Sequence, residues 1–160
     1  MIIRRYDDSD LESIVTLFTE SVRHVNILHY SEEQVVAAAP RPPDLDLWRK
    51  RIAGVAIWVA ELDSQIAGFC GLGAAGHVDL LYTDYRFQRQ GVARALYQQA
   101  ETETLRQGVR RLFTEASVNA RPFFEKMGFA VIREQEIEFC GLMFRNYAME
   151  KLVNPSVTGR

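Results

Sequence analysis

Apolar residues near the start of the chain recur at helical spacing: Leu11, Ile14, Val15, Phe18, Val22 and Val25 fall on one stripe. Asp7, Asp8, Ser9 and Asp10, just ahead of it, are residue types that cap helix N-termini, and residues 2–5 before them read as a short strand. A second start follows at Ser31-Glu32-Glu33-Gln34, where a Ser-x-x-Gln box can satisfy two backbone N–H groups reciprocally. Ala39-Pro40-Arg41-Pro42-Pro43 breaks that helix, because proline lacks an N–H and clashes with the turn before it. A third short helix is predicted over 44–52.

The period then changes. Residues 55–62, 66–72 and 77–83 are apolar and rich in strand formers. Asp63-Ser64-Gln65 reads as a turn, and the connections are too short for crossovers, so the three strands should form an antiparallel meander. A long helix is predicted over 90–107, closed by Gly108. A strand over 112–116, a short helix over 119–127 ended by Gly128, and a hairpin of 129–138 with 142–150 about Cys140-Gly141 complete the chain. Residues 1–153 read as one domain and 154–160 as a tail. The order β-ααα-βββ-α-β-α-ββ predicts an α/β fold: a mixed, mostly antiparallel central sheet flanked by helices.

Composition adds exclusions. A chain of 160 residues, 48% hydrophobic, can bury a core without disulfide or metal support. Its net charge of −2 lacks the basic excess of a nucleic-acid binder. The longest apolar run, 53–60, is too short to cross a membrane, and no signal-peptide core follows Met1, so a cytoplasmic location is expected. Cys70 and Cys140 both stand in apolar, strand-like surroundings and are expected as buried free thiols. His24, His29 and His77 show no ligand spacing, so no metal site is expected. Trp48 and Trp58 are expected in the core.

Two glycine motifs need to be told apart. Gly71-Leu72-Gly73-Ala74-Ala75-Gly76 matches the dinucleotide fingerprint, which must open a helix after a strand. Here a strand pattern, His77-Val78-Asp79-Leu80, follows instead, so a glycine-rich hairpin turn is expected. The second motif has the required setting. Between a strand ending at Thr83 and the long helix lie Gln88-Arg89-Gln90-Gly91-Val92-Ala93-Arg94. The first turn of a helix has unpaired N–H groups and the positive end of the macrodipole. Gly91 and Ala93 leave its backbone open, and Arg86, Arg89 and Arg94 add positive charge with no acid among them. This is a phosphate-binding corner.

Gln88-Arg89-Gln90-Gly91-Val92-Ala93 resembles the Gln/Arg-x-x-Gly-x-Gly/Ala signature of the GNAT N-acetyltransferase superfamily. Asn119-Ala120-Arg121-Pro122-Phe123-Phe124-Glu125-Lys126-Met127-Gly128-Phe129 resembles that family's second cofactor segment. The resemblance covers nearly the whole chain and implies an N-acetyltransferase that uses acetyl-coenzyme A as cosubstrate, with a homodimer compatible with the family. It implies that Gln88, Arg89, Gln90, Gly91, Val92, Ala93 and Arg94 cradle the pyrophosphate. It also implies that Leu81, Tyr82 and Thr83 run beside the pantetheine arm, that the Leu81 N–H faces the thioester oxygen, and that Asn119 meets a pantetheine amide. Two positions depart from the pattern. Tyr85 stands where proline is frequent, and Phe124 stands where a tyrosine commonly protonates the departing thiolate.

The amine must lose a proton before it attacks. Asp79, a carboxylate in an apolar strand where family members often carry an acid, is the first candidate for that base. Its competing reading is a solvent-facing strand residue. Tyr82, Tyr30 and His29 are weaker candidates for a substitute acid or for acceptor binding, His29 and Tyr30 because the resemblance puts their loop beside the acceptor. A Ser117–His29–Asp79 hydrolase triad has no nucleophile-elbow motif to support it. The leading expectation is acetyl transfer to a primary amine of a small molecule or protein. The alternatives are a non-catalytic acyl-coenzyme A sensor, to which Phe124 lends weight, and a phosphate-ligand domain using the helix terminus alone.

Overall fold

The structure, a computed structural model, describes residues 1–25 and 29–153; the side chain of Val25, residues 26–28 and the expected tail 154–160 lie outside the described part. The elements run β1 (Ile2–Arg5), α1 (Leu11–Val25), α2 (Glu32–Ala38), α3 (Leu45–Ile52), β2 (Ala56–Leu62), β3 (Gln65–Leu72), β4 (Val78–Thr83), α4 (Val92–Arg106), β5 (Arg111–Ser117), α5 (Arg121–Lys126), β6 (Ala130–Phe139) and β7 (Leu142–Leu152). The helix starts follow their caps. Ser31 and Gln34 make the reciprocal box, and Asp44 accepts from the Leu47 N–H. The turn after β2 is shorter than expected: Asp63 and Ser64 take left-handed φ values and Gln65 already pairs with Leu62.

The expected sheet is parted into two antiparallel sheets, β1-β2-β3-β4 and β5-β7-β6. They meet at one parallel bridge, His77 to Phe113. Just beyond it, the Thr114 hydroxyl donates to the Val78 carbonyl at 2.7 Å. After that point no ladder joins β4 to β5 among the described residues, and a cleft opens between them. The junction depends on Gly76, in the glycine-rich turn read from the sequence. Its φ is +88°, and a Cβ there would lie 2.0 Å from the Arg111 carbonyl oxygen.

Alternation along the central strands explains their unbroken hydrophobicity. Ile57, Val59 and Phe69 pack under α1 and α3, while Trp58, Ala60 and Cys70 pack under α4. Gly68 lets α4 settle close to β3, since a Cβ there would meet Val92 Cγ1 at 2.8 Å and the Tyr82 carbonyl oxygen at 2.9 Å. This contact fixes the N-terminus of α4 beside the end of β4. Cys140 corrects one expectation. It is exposed at the β6–β7 turn, where Cys140 and Gly141 both have positive φ, so turn geometry and not packing sets its surroundings. Cys70 is buried as expected, and burial pushes its thiol up to about 12.

Candidate active site

The open end of the β4–β5 cleft carries two cavities that share one throat. Leu81 and Tyr82 of β4, Ser117 of β5, Ala120 and Phe124 about α5, and Val22 of α1 line both.

The larger cavity, about 550 Å³, runs from the throat to the N-terminus of α4. Thr83, Gln88, Arg89, Gly91, Val92, Ala93, Arg94 and Asn119 all line it, so residues of both motifs are brought to one place; the Gln90 side chain does not line it. Arg89 and Gly91 have φ of +64° and +78°, which winds the loop tightly into the helix. A Cβ on Gly91 would meet nothing within 4 Å, so glycine is needed there for its backbone angle, and the space in front of it is open. Arg89, Arg94 and Lys126 supply positive charge, and no carboxylate lines this cavity. Lys126 was not singled out from the sequence, although it stands inside the second cofactor segment. Arg86 is not part of the charge: Asp84 holds its guanidinium through two bonds of 3.1 and 2.8 Å.

The backbone of β4 is oriented for an extended ligand. The Asp84 N–H donates to the Ala67 carbonyl, and the register pairs Tyr82 with Phe69 and Leu80 with Gly71. Backbone groups alternate sides along a strand, so those of Leu81 and Thr83 face away from β3 and toward the cleft. The Thr83 carbonyl on that side accepts from the Ser21 hydroxyl at 3.1 Å.

The smaller cavity, about 300 Å³, lies on the other side of the throat. Its walls come from α2, β5 and the β6–β7 hairpin, with apolar surface from Val35, Ala38, Ile137, Phe139 and Phe144. Three carboxylates, Asp79, Glu115 and Glu138, line it against one cation, Arg145. With Asp79 paired to Arg51 of α3, Glu115 and Glu138 against Arg145 leave a small negative excess, opposite in sign to the larger cavity. Sequence reasoning missed the hairpin residues, because nothing local signals that a distant hairpin closes over the cleft.

Asp79 sits at a bulge. Val78 pairs with Leu72 and Leu80 with Gly71, leaving Asp79 without a partner on β3. A bulge redirects a side chain, and here the carboxylate reaches Arg51 on α3 in two bonds of 2.7 and 2.9 Å. Tyr82 packs between Phe18 and Phe69, and burial pushes its hydroxyl up to about 12. Tyr30 lines the smaller cavity with its hydroxyl committed: it donates to the Arg145 carbonyl at 2.8 Å and accepts from the Val118 N–H at 3.1 Å. The loop ahead of α2 is thereby fastened to β7. His29 is exposed and lines neither cavity. Phe124, buried against Phe123 and Phe129, presents an apolar ring at the throat. Among the described residues no cluster of three or more His, Cys, Asp or Glu is placed to hold a metal ion.

Comparison with known proteins agrees with this geometry. The family model described as "Acetyltransferase (GNAT) domain" matches residues 26–151. The chain is 32% identical over 147 residues to "Uncharacterized N-acetyltransferase YafP" of Escherichia coli (strain K12), covering 92% of this chain and 93% of that one. A crystal structure of a GCN5-related N-acetyltransferase from Rhodopseudomonas palustris superposes with a TM-score of 0.91 at 27% identity, covering 95% of each chain. The PaiA N-acetyltransferase of Thermoplasma acidophilum, solved in complex with coenzyme A, shares the fold with a TM-score of 0.77 at 21% identity, covering 94% of this chain and 98% of that one. From its cleft to its sequence relatives, the chain belongs to the GNAT acetyltransferase family and is an acyltransferase.

Proposed function

We propose that this protein moves an acetyl group from acetyl-coenzyme A to the primary amine of a small molecule or protein by direct attack of the nitrogen on the thioester. The carrying observation is the pair of oppositely charged cavities meeting at one throat beside the outward-facing backbone of Leu81. The positive cavity suits the phosphates, with the unpaired N–H groups of α4 and the side chains of Arg89, Arg94 and Lys126 around them. The backbone of Leu81 and Thr83 holds the pantetheine arm as an added strand, Asn119 meets one of its amides, and the Leu81 N–H polarises the thioester carbonyl. The negative cavity draws in the ammonium form of the acceptor.

Attack forms the C–N bond and breaks the C–S bond. The nitrogen, acidified once it is bonded to carbon, releases its second proton, and the departing thiolate ends as the free thiol. Phe124 has no proton to give. The Tyr82 hydroxyl stays protonated at neutral pH because its own loss of a proton is displaced to about 12. Passing that proton fully to an alkyl thiolate, whose thiol titrates near ~8.5, is uphill by several kcal/mol. Tyr82 therefore supports the leaving sulfur as a hydrogen-bond donor, and the proton comes from the nitrogen. Asp79, with both oxygens held by Arg51, serves as a fixed negative charge for the incoming ammonium.

Free-thiol release from acetyl-coenzyme A is the test, followed with phenethylamine, putrescine and Nα-acetyl-lysine as acceptors. Release that depends on at least one amine is expected. Tight binding of acetyl-coenzyme A without release for any amine would favour the acyl-coenzyme A sensor instead.

A further inference from the structure

The acceptor cavity contains a second carboxylate with different surroundings. Glu115 lies on β5 between Phe113 and Ser117, on the face opposite the buried Leu112, Thr114 and Ala116. It lines the acceptor cavity, and Ser117, two residues on, lines the throat. Its side chain is 43% exposed, and its Oε1 lies 2.7 Å from His77 Nε2. The imidazole is held in place by a nearly parallel stack on Phe113, with ring centroids 4.7 Å apart and 4° between planes. His77 itself does not line the cavity. The glycine-rich turn and the Gly76 contact place this histidine against β5, at the point where the two sheets part.

We propose that Glu115 is the general base that takes the proton from the acceptor ammonium, and that His77 is the residue positioning it. This rests on the reading of the smaller cavity as the acceptor site. The ammonium gives one proton to Glu115, directly or through one water, leaving a neutral amine and a neutral carboxyl. The amine then attacks, and Glu115 returns its proton to solvent when the product leaves. Asp79 is less suited to this step, because protonating it would neutralise the partner of the Arg51 guanidinium, which holds both its oxygens. Glu115 has one held oxygen and a second one available. Neutral His77 donates Nε2–H to Oε1 and fixes the carboxylate. Without that bond the carboxylate is free to turn away from the cavity. The other charged or titratable groups around the pair are Asp79 with Arg51, Glu138 and Arg145 across the cavity, Tyr30 and Tyr82 toward the throat, and Arg111 over the far face of Phe113.

The experiment measures kcat against pH from 5 to 9, with saturating acetyl-coenzyme A and whichever amine of the panel above gives thiol release. For Glu115→Gln, kcat is expected to fall ~100-fold across the range, the size typical of a lost general base, with acetyl-coenzyme A affinity and melting temperature unchanged. For His77→Gln, which keeps a donor toward Glu115, kcat is expected to stay within ~3-fold of the unaltered protein, whereas for His77→Phe, which keeps the stack on Phe113 but removes the donor, it is expected to fall ~10-fold. Wild-type kcat in Glu115→Gln would overturn the assignment of the base. Unaltered kcat in His77→Phe, or an equal loss in His77→Gln, would overturn the role of the histidine. Absence of thiol release from the unaltered protein with every amine would overturn the acetyl-transfer reading before any variant is made, so the two failures are distinguishable.

Discussion

Asp79 is held by two guanidinium N–H groups of Arg51 beside the smaller cavity, where we propose the acceptor binds. Asp79→Asn should therefore raise the KM of the amine several-fold, since it removes the attraction and leaves Arg51 unpaired, while the KM of acetyl-coenzyme A stays constant. Steady-state kinetics with each substrate varied in turn checks this. Tyr82→Phe should lower kcat ~10-fold, the effect of one lost hydrogen bond to a group that gains charge in the transition state. Because burial raises Tyr82 to about 12, the pH profile should show no break from this phenol below pH 11. At this scale the sequence was informative about which residues share one place in the fold. Leu81, Thr83, Gly91 and Asn119 all fall on the cleft as read from the motifs. It was least informative for side-chain partners. The ties of Asp79 to Arg51 and of Glu115 to His77 join residues 28 and 38 positions apart, and no local pattern encodes them.

Two glycines carry the arrangement of elements, for different reasons. At Gly91 the neighbourhood is empty and only the backbone angle is demanding. Gly91→Ala should cost about 1 kcal/mol of stability and weaken acetyl-coenzyme A binding ~10-fold, because the added methyl would enter the open space where we propose the phosphates bind. Calorimetric titration reads the second effect. At Gly76 both angle and space are demanding, since the Arg111 carbonyl occupies the place of a Cβ. Gly76→Ala should lose about 2–5 kcal/mol in urea unfolding, and it should widen the β4–β5 junction on which the cleft depends. Element types and order were legible because the helical stripe, the caps and the turn residues are local signals. The gap between β4 and β5 was not, because it arises from the absence of pairing along two strands that each look ordinary.

Over the whole molecule, the separation of charge at the site and the two weak acids Cys70 and Tyr82 give two bulk properties. Affinity for acetyl-coenzyme A should fall as ionic strength rises, since Arg89, Arg94 and Lys126 act at an open cavity. The second concerns pH. Cys70 and Tyr82 are both raised by burial to about 12, from 9.0 and 10.0. The folded state therefore resists their loss of a proton while the unfolded chain does not, so their contribution is complete below pH 9 and is lost as pH rises toward 12. The melting temperature should decline through that window, and Cys70→Ala should delay its onset. No helix among the described residues is long and apolar enough to cross a membrane. The two-sided core was legible in the unbroken apolar runs of β2 and β3, whereas the smaller cavity needed the fold, because α2, β5 and the hairpin come from three distant parts of the chain. The most direct test of the central claim follows carbon-13-labelled acetyl-coenzyme A by NMR in the presence of an amine. The label should pass from the thioester to an amide on the amine nitrogen, with free coenzyme A appearing in equal amount. Label that stays on coenzyme A, or that comes to rest on the protein, would contradict it.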